Sequence, residues 1–232
     1  MTNILLTGSS RGIGAAIAAA LSTTAGVTFV GHGTASGIAA DFADATGPRH
    51  LWDTALSQLG TINVLINNAG VFEANPIDQP DDAWVANWER TMRINLTASA
   101  ELCRLAIRHW QERGTGGRIV NVASRAAYRG DSPGHWHYAA SKAGMVAMTK
   151  SIARGYAAQN ILAFAVCPGF TMTGMAEDYL ASRGGDKLLA DIPLGRVADP
   201  EEVANAVTYL ALSAPPSMTG AVIDVNGASY VR

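Results

Sequence analysis

Thr7-Gly8-Ser9-Ser10-Arg11-Gly12-Ile13-Gly14 follows the short apolar run Ile4–Thr7 and opens the alanine-rich stretch Gly12–Ser22. Strand, glycine-rich turn and helix in that order form an anion-binding device. Glycines let the backbone turn tightly and approach a pyrophosphate, whose charge then sits at the positive end of the helix. The spacing here is G-x-x-x-G-x-G rather than G-x-G-x-x-G. The turn alone therefore says little, and its place directly after a first strand carries the reading.

Outward from this loop, short apolar runs alternate with longer helical patterns. The runs are Ile4–Thr7, Val27–Gly31, a weaker Ile38–Asp41, Ile62–Asn67, Arg118–Ala123, Ile161–Cys167 and Ala221–Val225. Most are continuous rather than alternating, as in strands covered on both faces of a parallel sheet. The helical patterns cover Gly12–Ser22, Arg49–Leu59, Asp81–Arg113, Tyr138–Ala158 and Pro200–Ala211. The expected fold is α/β, a Rossmann-like doubly wound parallel sheet of about seven strands, in one domain over residues 1–232. Between Val30 and Asp41 the chain is too short for a full crossover helix. The mixed segment at about 170–196 follows a strand's carboxyl end and reads as a substrate lid.

Composition narrows the function classes. The chain has 232 residues, 48% hydrophobic and 16% charged, which excludes disorder. With 17 Lys+Arg against 19 Asp+Glu, the net charge of −2 gives no electrostatic footprint for nucleic acid or an anionic membrane. Gly12 to Ala40 contains no Asp, Glu, Lys or Arg, but its apolar content is mostly alanine, so it reads as buried helix plus strand rather than a membrane span. No basic leader precedes the first strand, and a cytoplasmic location is expected. Cys103 and Cys167 read as small buried hydrophobes in a reducing compartment. No His, Asp, Glu or Cys spacing suggests a metal site.

Several residues carry candidate chemistry. The end of the second strand, where an acid would select NAD through the ribose 2′-OH, holds Gly31-His32-Gly33. Arg11 is placed to donate to a 2′-phosphate, and His32 and Thr34 could add hydrogen bonds, so NADP(H) is expected over NAD(H). Tyr138 and Lys142, at i and i+4, share a helix face. A phenol titrates near pH ~10; bringing it down by ~3 units takes ~4 kcal/mol of differential stabilisation. A neighbouring ammonium and an oxidised nicotinamide would supply it. Ser124 ends a strand, where its hydroxyl could hold a substrate oxygen. Asn95, within a long helical pattern, could bond to backbone or water in a kink. Trp84 and Trp88 read as a packing stripe, Asp81-Asp82 as a match to the helix dipole, and His135-Trp136-His137 as a pocket wall.

In this order and spacing, TGSSRGIG (Thr7–Gly14), NNAG (Asn67–Gly70), Asn95, Ser124, YAASK (Tyr138–Lys142) and CPGFTMT (Cys167–Thr173) resemble the short-chain dehydrogenase/reductase family over nearly the whole chain. The tail is similar to the 3-oxoacyl-[acyl-carrier-protein] reductase-like branch. The resemblance implies that Tyr138 is the acid/base and that Lys142 binds the nicotinamide ribose and lowers the phenol's pKa. Ser124 would position the carbonyl, and Asn95 would hold a water that links Lys142 to solvent. Gly8, Ser10, Arg11 and Ile13 would lie along the adenosine diphosphate, Asp41 and Phe42 at the adenine, Asn68 and Ala69 at its ribose. Pro168, Gly169, Thr171 and Thr173 would flank the nicotinamide. Ser124 and Tyr138 stand one position further apart than in most members; the extra residue is placed in Tyr128–Trp136, with Ser132 as the alternative to Ser124. The usual glycine pair of the tail is Gly227-Ala228.

The expected function is thus an NADP(H)-dependent ketoreductase or secondary-alcohol dehydrogenase acting on a small-molecule carbonyl or alcohol, with 3-oxoacyl thioesters as one possibility. The alternatives are an NAD-dependent alcohol or sugar dehydrogenase and a non-catalytic dinucleotide-sensing regulator. The resemblance also implies a homodimer or homotetramer.

Overall fold

The computed structural model describes residues 1–33, 36–173 and 189–232. Six parallel strands form one sheet in the order β2-β1-β3-β4-β5-β6. They are β1 (Thr2–Leu6), β2 (Val27–Gly31), β3 (Val64–Asn67), β4 (Gly117–Val122), β5 (Ile161–Pro168) and β6 (Val222–Val225). β1 pairs with both β2 and β3, Leu6 matching Gly31 on one side and Ile66 on the other. The chain thus winds first one way from β1 and then the other. The carboxyl ends of β1 and β3 are therefore the switch point of the sheet, the place where such folds take ligands.

Side chains of each strand alternate between two cores. Leu5 of β1 faces one, with Leu65, Leu102, Ala106 and Trp110. Ile4 and Leu6 face the other, with Ile17, Leu21, Val203 and Leu210. The helices that cover these faces are α1 (Gly12–Ser22), α2 (Gly47–Leu59), α3 (Asp81–Met92), α4 (Ala98–Glu112), the short α5 (Ala126–Arg129), α6 (Trp136–Tyr156) and α7 (Pro200–Leu212). Their ends follow local chemistry. Gly60, at φ +71°, ends α2. Asp199 and Glu202 form a capping box at the start of α7, and Asp81 and Asp82 occupy the first turn of α3.

Two expectations change. The strand expected at Ile38–Asp41 does not form; Ile38 makes only an isolated bridge to His32, so the described residues give six strands rather than about seven. Ten residues cannot pass over a sheet and return in register, and Ile38 meets the end of β2 at its edge instead. The single helix expected over Asp81–Arg113 is interrupted by a π-helical turn, Arg93–Thr97, which places Asn95. Of the expected lid, residues 174–188 lie outside the described residues, as does Thr34. Among the described residues no helix is long and apolar enough to cross a membrane.

Candidate active site

The glycine loop is fixed by its neighbours before any ligand is considered. Gly8 adopts φ +67°, and a Cβ there would stand 2.8 Å from Ala69 Cα. Thr7 Oγ1 accepts from the backbone N–H groups of Asn68 (2.9 Å) and Ala69 (3.0 Å). Asn68 Nδ2 donates back to the carbonyls of Thr7 (3.1 Å) and Gly8 (3.0 Å). The ends of β1 and β3 are therefore stitched together. Arg11 precedes α1 in extended conformation, exposed, and no side chain caps the helix. Its leading N–H groups remain open to an anion, in a cradle that a side chain at Gly12 would enter. Thr173 reaches the same cradle: a Cβ on Gly12 would stand 3.0 Å from its Cγ2. These residues fit a dinucleotide pyrophosphate.

Around this loop lie the remaining residues named for the cofactor. Ser10 and Ile13 are half-buried on it. His32 is buried and stacks on Phe42 with ring centroids 4.4 Å apart. Both of its ring nitrogens are hydrogen-bonded inside the protein, which leaves it no free N–H for a phosphate. Asp41 is exposed and accepts from the Ala43 N–H. Pro168 ends β5; Gly169 N–H donates to Val225, and Thr171 Oγ1 to the Gly169 carbonyl.

The four residues named for chemistry converge from three elements. Ser124 lies just past β4, Tyr138 and Lys142 on α6, and Asn95 in the π turn. The Ser124 hydroxyl hydrogen-bonds the Tyr138 phenol. Ser132 does not compete, since its Oγ pairs with His135 Nδ1 at 2.7 Å. Lys142, one turn beyond Tyr138, is buried with Nζ donating to the Val122 carbonyl (2.9 Å) and 5.9 Å from the Tyr138 ring centroid. Asn95 braces the neighbouring backbone: Oδ1 accepts from Val71 N–H (2.8 Å), while Nδ2 donates to Val71 O (2.9 Å) and Ser141 Oγ (3.3 Å). Gly70 lies between Asn95 and Lys142; a Cβ on it would stand 3.2 Å from Asn95 Oδ1 and 3.5 Å from Lys142 Nζ.

Electrostatics in this arrangement are set by burial. Loss of water pushes the Tyr138 phenol up to about 12, with the Ser124 hydrogen bond pulling the other way. The same loss lowers the Lys142 ammonium to about 8. Two rings escaped the motif reading or stood at its margin. Phe72 meets Tyr138 edge-on (4.8 Å) and stacks on His135 (4.0 Å). A lone aromatic in a loop after NNAG carries no spacing signal, so only the fold reveals that it walls the phenol. Among the described residues no group of three or more His, Cys, Asp or Glu could hold a metal ion.

A family model described as Enoyl-(Acyl carrier protein) reductase matches residues 8–228. An uncharacterized short-chain type dehydrogenase/reductase of Sinorhizobium fredii is 35% identical over 205 residues, 88% of this chain and 79% of the relative. The 3-oxoacyl-[acyl-carrier-protein] reductase of Vibrio harveyi is 34% identical, with 98% of this chain and 96% of the relative covered. An acetoacetyl-CoA reductase of Rhizobium meliloti is 32% identical, with 97% of each covered. The chain belongs to the short-chain dehydrogenase/reductase family of NAD(P)-dependent oxidoreductases.

Proposed function

We propose that the protein is an NADP(H)-dependent ketoreductase whose substrates are 3-oxoacyl thioesters or related small ketones. The observation that carries this reading is the Tyr138 phenol, hydrogen-bonded to Ser124 beside buried Lys142, at the carboxyl end of β4 on the same edge of the sheet as the glycine loop. The dinucleotide, when bound, supplies the hydride and, in its oxidised form, a positive charge. Tyr138 donates its proton to the oxygen of the reduced carbonyl, and Ser124 holds that oxygen in place. A phenol at about 12 carries its proton at neutral pH, as a donor must. In the oxidising direction Tyr138 must ionise, which needs the cofactor's charge in addition to Lys142. Lys142 orients the ribose, and Asn95 braces Val71 and Ser141 beside it.

The preference for NADP(H) is supported by the missing acid after β2 and by Arg11, exposed at the loop. The names of the Vibrio and Rhizobium relatives support the thioester substrate. Nicotinamide absorbance with acetoacetyl thioesters, cyclic ketones and sugars tests both points. Turnover with NADPH should exceed that with NADH, and thioesters should lead. Equal or better use of NADH, with an alcohol or sugar preferred, would replace this reading by an NAD-dependent dehydrogenase. Tyr138→Phe should lower turnover by ~10²–10⁴-fold while leaving dinucleotide binding intact. Unchanged output from that variant would instead indicate a nucleotide sensor.

A further inference from the structure

His32 stands at the carboxyl end of β2, where a dinucleotide enzyme that reads the ribose 2′-OH keeps an acid. Its ring is turned inward instead and is 7% exposed. Gly8 N–H donates to Nδ1 at 3.2 Å, and Nε2 lies 2.8 Å from the Ala40 carbonyl. A single protonation state satisfies both contacts: a neutral imidazole with its proton on Nε2. The His32 carbonyl accepts from Ser9 N–H (2.7 Å) and Ser9 Oγ (3.1 Å), and its own N–H donates to Leu6. One residue thus ties together the glycine loop, the end of β2 and the segment 40–42. With the second crossover shortened, no helix stands among the described residues there to do so.

We infer that His32 is a positioning residue for the dinucleotide, its neutral ring holding Gly8 in the left-handed turn that presents the N-terminus of α1 while it clamps segment 40–42 to the same loop. This rests on the dinucleotide reading above. A protonated ring would turn an N–H toward the Gly8 N–H, donor against donor, and open the clamp. The groups facing the ring are the Gly8 N–H from the loop and Ala40 O and Phe42 from the adenine side; none is charged. Asp41 and Arg11, the nearest ionised residues in sequence, are exposed. Burial holds the ring's pKa below its ordinary value of 6.5, so the clamp is intact at neutral pH and fails as pH falls through that lowered value.

The test is the Kd for NADPH, by fluorescence titration of the full chain from about pH 8 to about pH 5. Affinity of the unaltered protein should fall on acidification. His32→Asn places Oδ1 near the position of Nδ1, preserving an acceptor for Gly8; it should bind within about threefold of the unaltered protein at neutral pH and lose the acid response. His32→Phe keeps the stack on Phe42 without either hydrogen bond and should bind about tenfold more weakly, ~1.4 kcal/mol, at every pH. Should His32→Phe fail to fold, His32→Gln, which keeps only the Ala40 contact, carries the same expectation. Unaltered affinity in His32→Phe, a flat pH series for the unaltered protein, or an acid response that persists in His32→Asn would each overturn the inference. An unaltered protein that binds no dinucleotide even at about pH 8 would overturn the cofactor reading along with it.

Discussion

Ala228 adopts φ +64°, a left-handed conformation that brings Cβ of an L-residue against its own backbone. It follows Gly227, also left-handed, whose Cβ would press to 2.7 Å on Ile192 Cγ2. Ala228→Gly should stabilise the fold by about 0.5–1 kcal/mol, because relief of strain exceeds the extra chain entropy glycine brings to the unfolded state. A rise of a few degrees in thermal midpoint would show it, and a fall would refute it. Strain of this kind is invisible in a sequence unless a glycine pair is expected, as it is here. The tetrad is the opposite case. Tyr138 and Lys142 declare their shared face through spacing alone, whereas His32 could be read only as a free donor until the fold turned its ring inward.

At the scale of elements, β4 and α6 meet through three successive contacts. Asn121 Nδ2 donates to Thr149 Oγ1 (2.8 Å), the Val122 carbonyl accepts from Lys142 (2.9 Å), and Ser124 meets Tyr138. Asn121 also accepts from Asn67 Nδ2 of β3 (2.8 Å), so the strand carrying NNAG joins the same brace. Thr149→Val leaves the buried Asn121 amide without its acceptor and should destabilise the protein by about 1–3 kcal/mol. Thr149→Ser should restore most of that loss, and denaturant titration of the pair decides the matter; equal stability of the two variants would discard the brace. The helix limits around this brace were legible from apolar periodicity to within two residues. The π turn was not, because its extra residue per turn arises from contacts of Asn95 with Val71 and Ser141 across the fold.

For the molecule as a whole, buried neutral groups fix the alkaline limit. Burial pushes the thiols of Cys103 to about 12 and Cys167 to about 11, and the Tyr138 phenol to about 12. Each keeps its proton in the folded state while the unfolded chain loses it, so stability is lost as pH rises above about 9 for the thiols and about 10 for the phenol. Lys142, lowered to about 8, acts in the opposite sense between that value and its unfolded range. Two thiols outweigh one amine, and thermal midpoints should decline from about pH 9 upward, with a shallower slope in Cys103→Ser. A midpoint that holds or rises over that range would contradict this account. The alternation of apolar runs and helices, the loop after the first strand, and the order of the motifs came from the sequence alone, because periodicity and glycine placement act over a few residues. Which strand was missing, which way His32 faced, and what surrounds the phenol were decided only in three dimensions. Register, burial and the pKa shifts that follow from it depend on residues far apart in the chain.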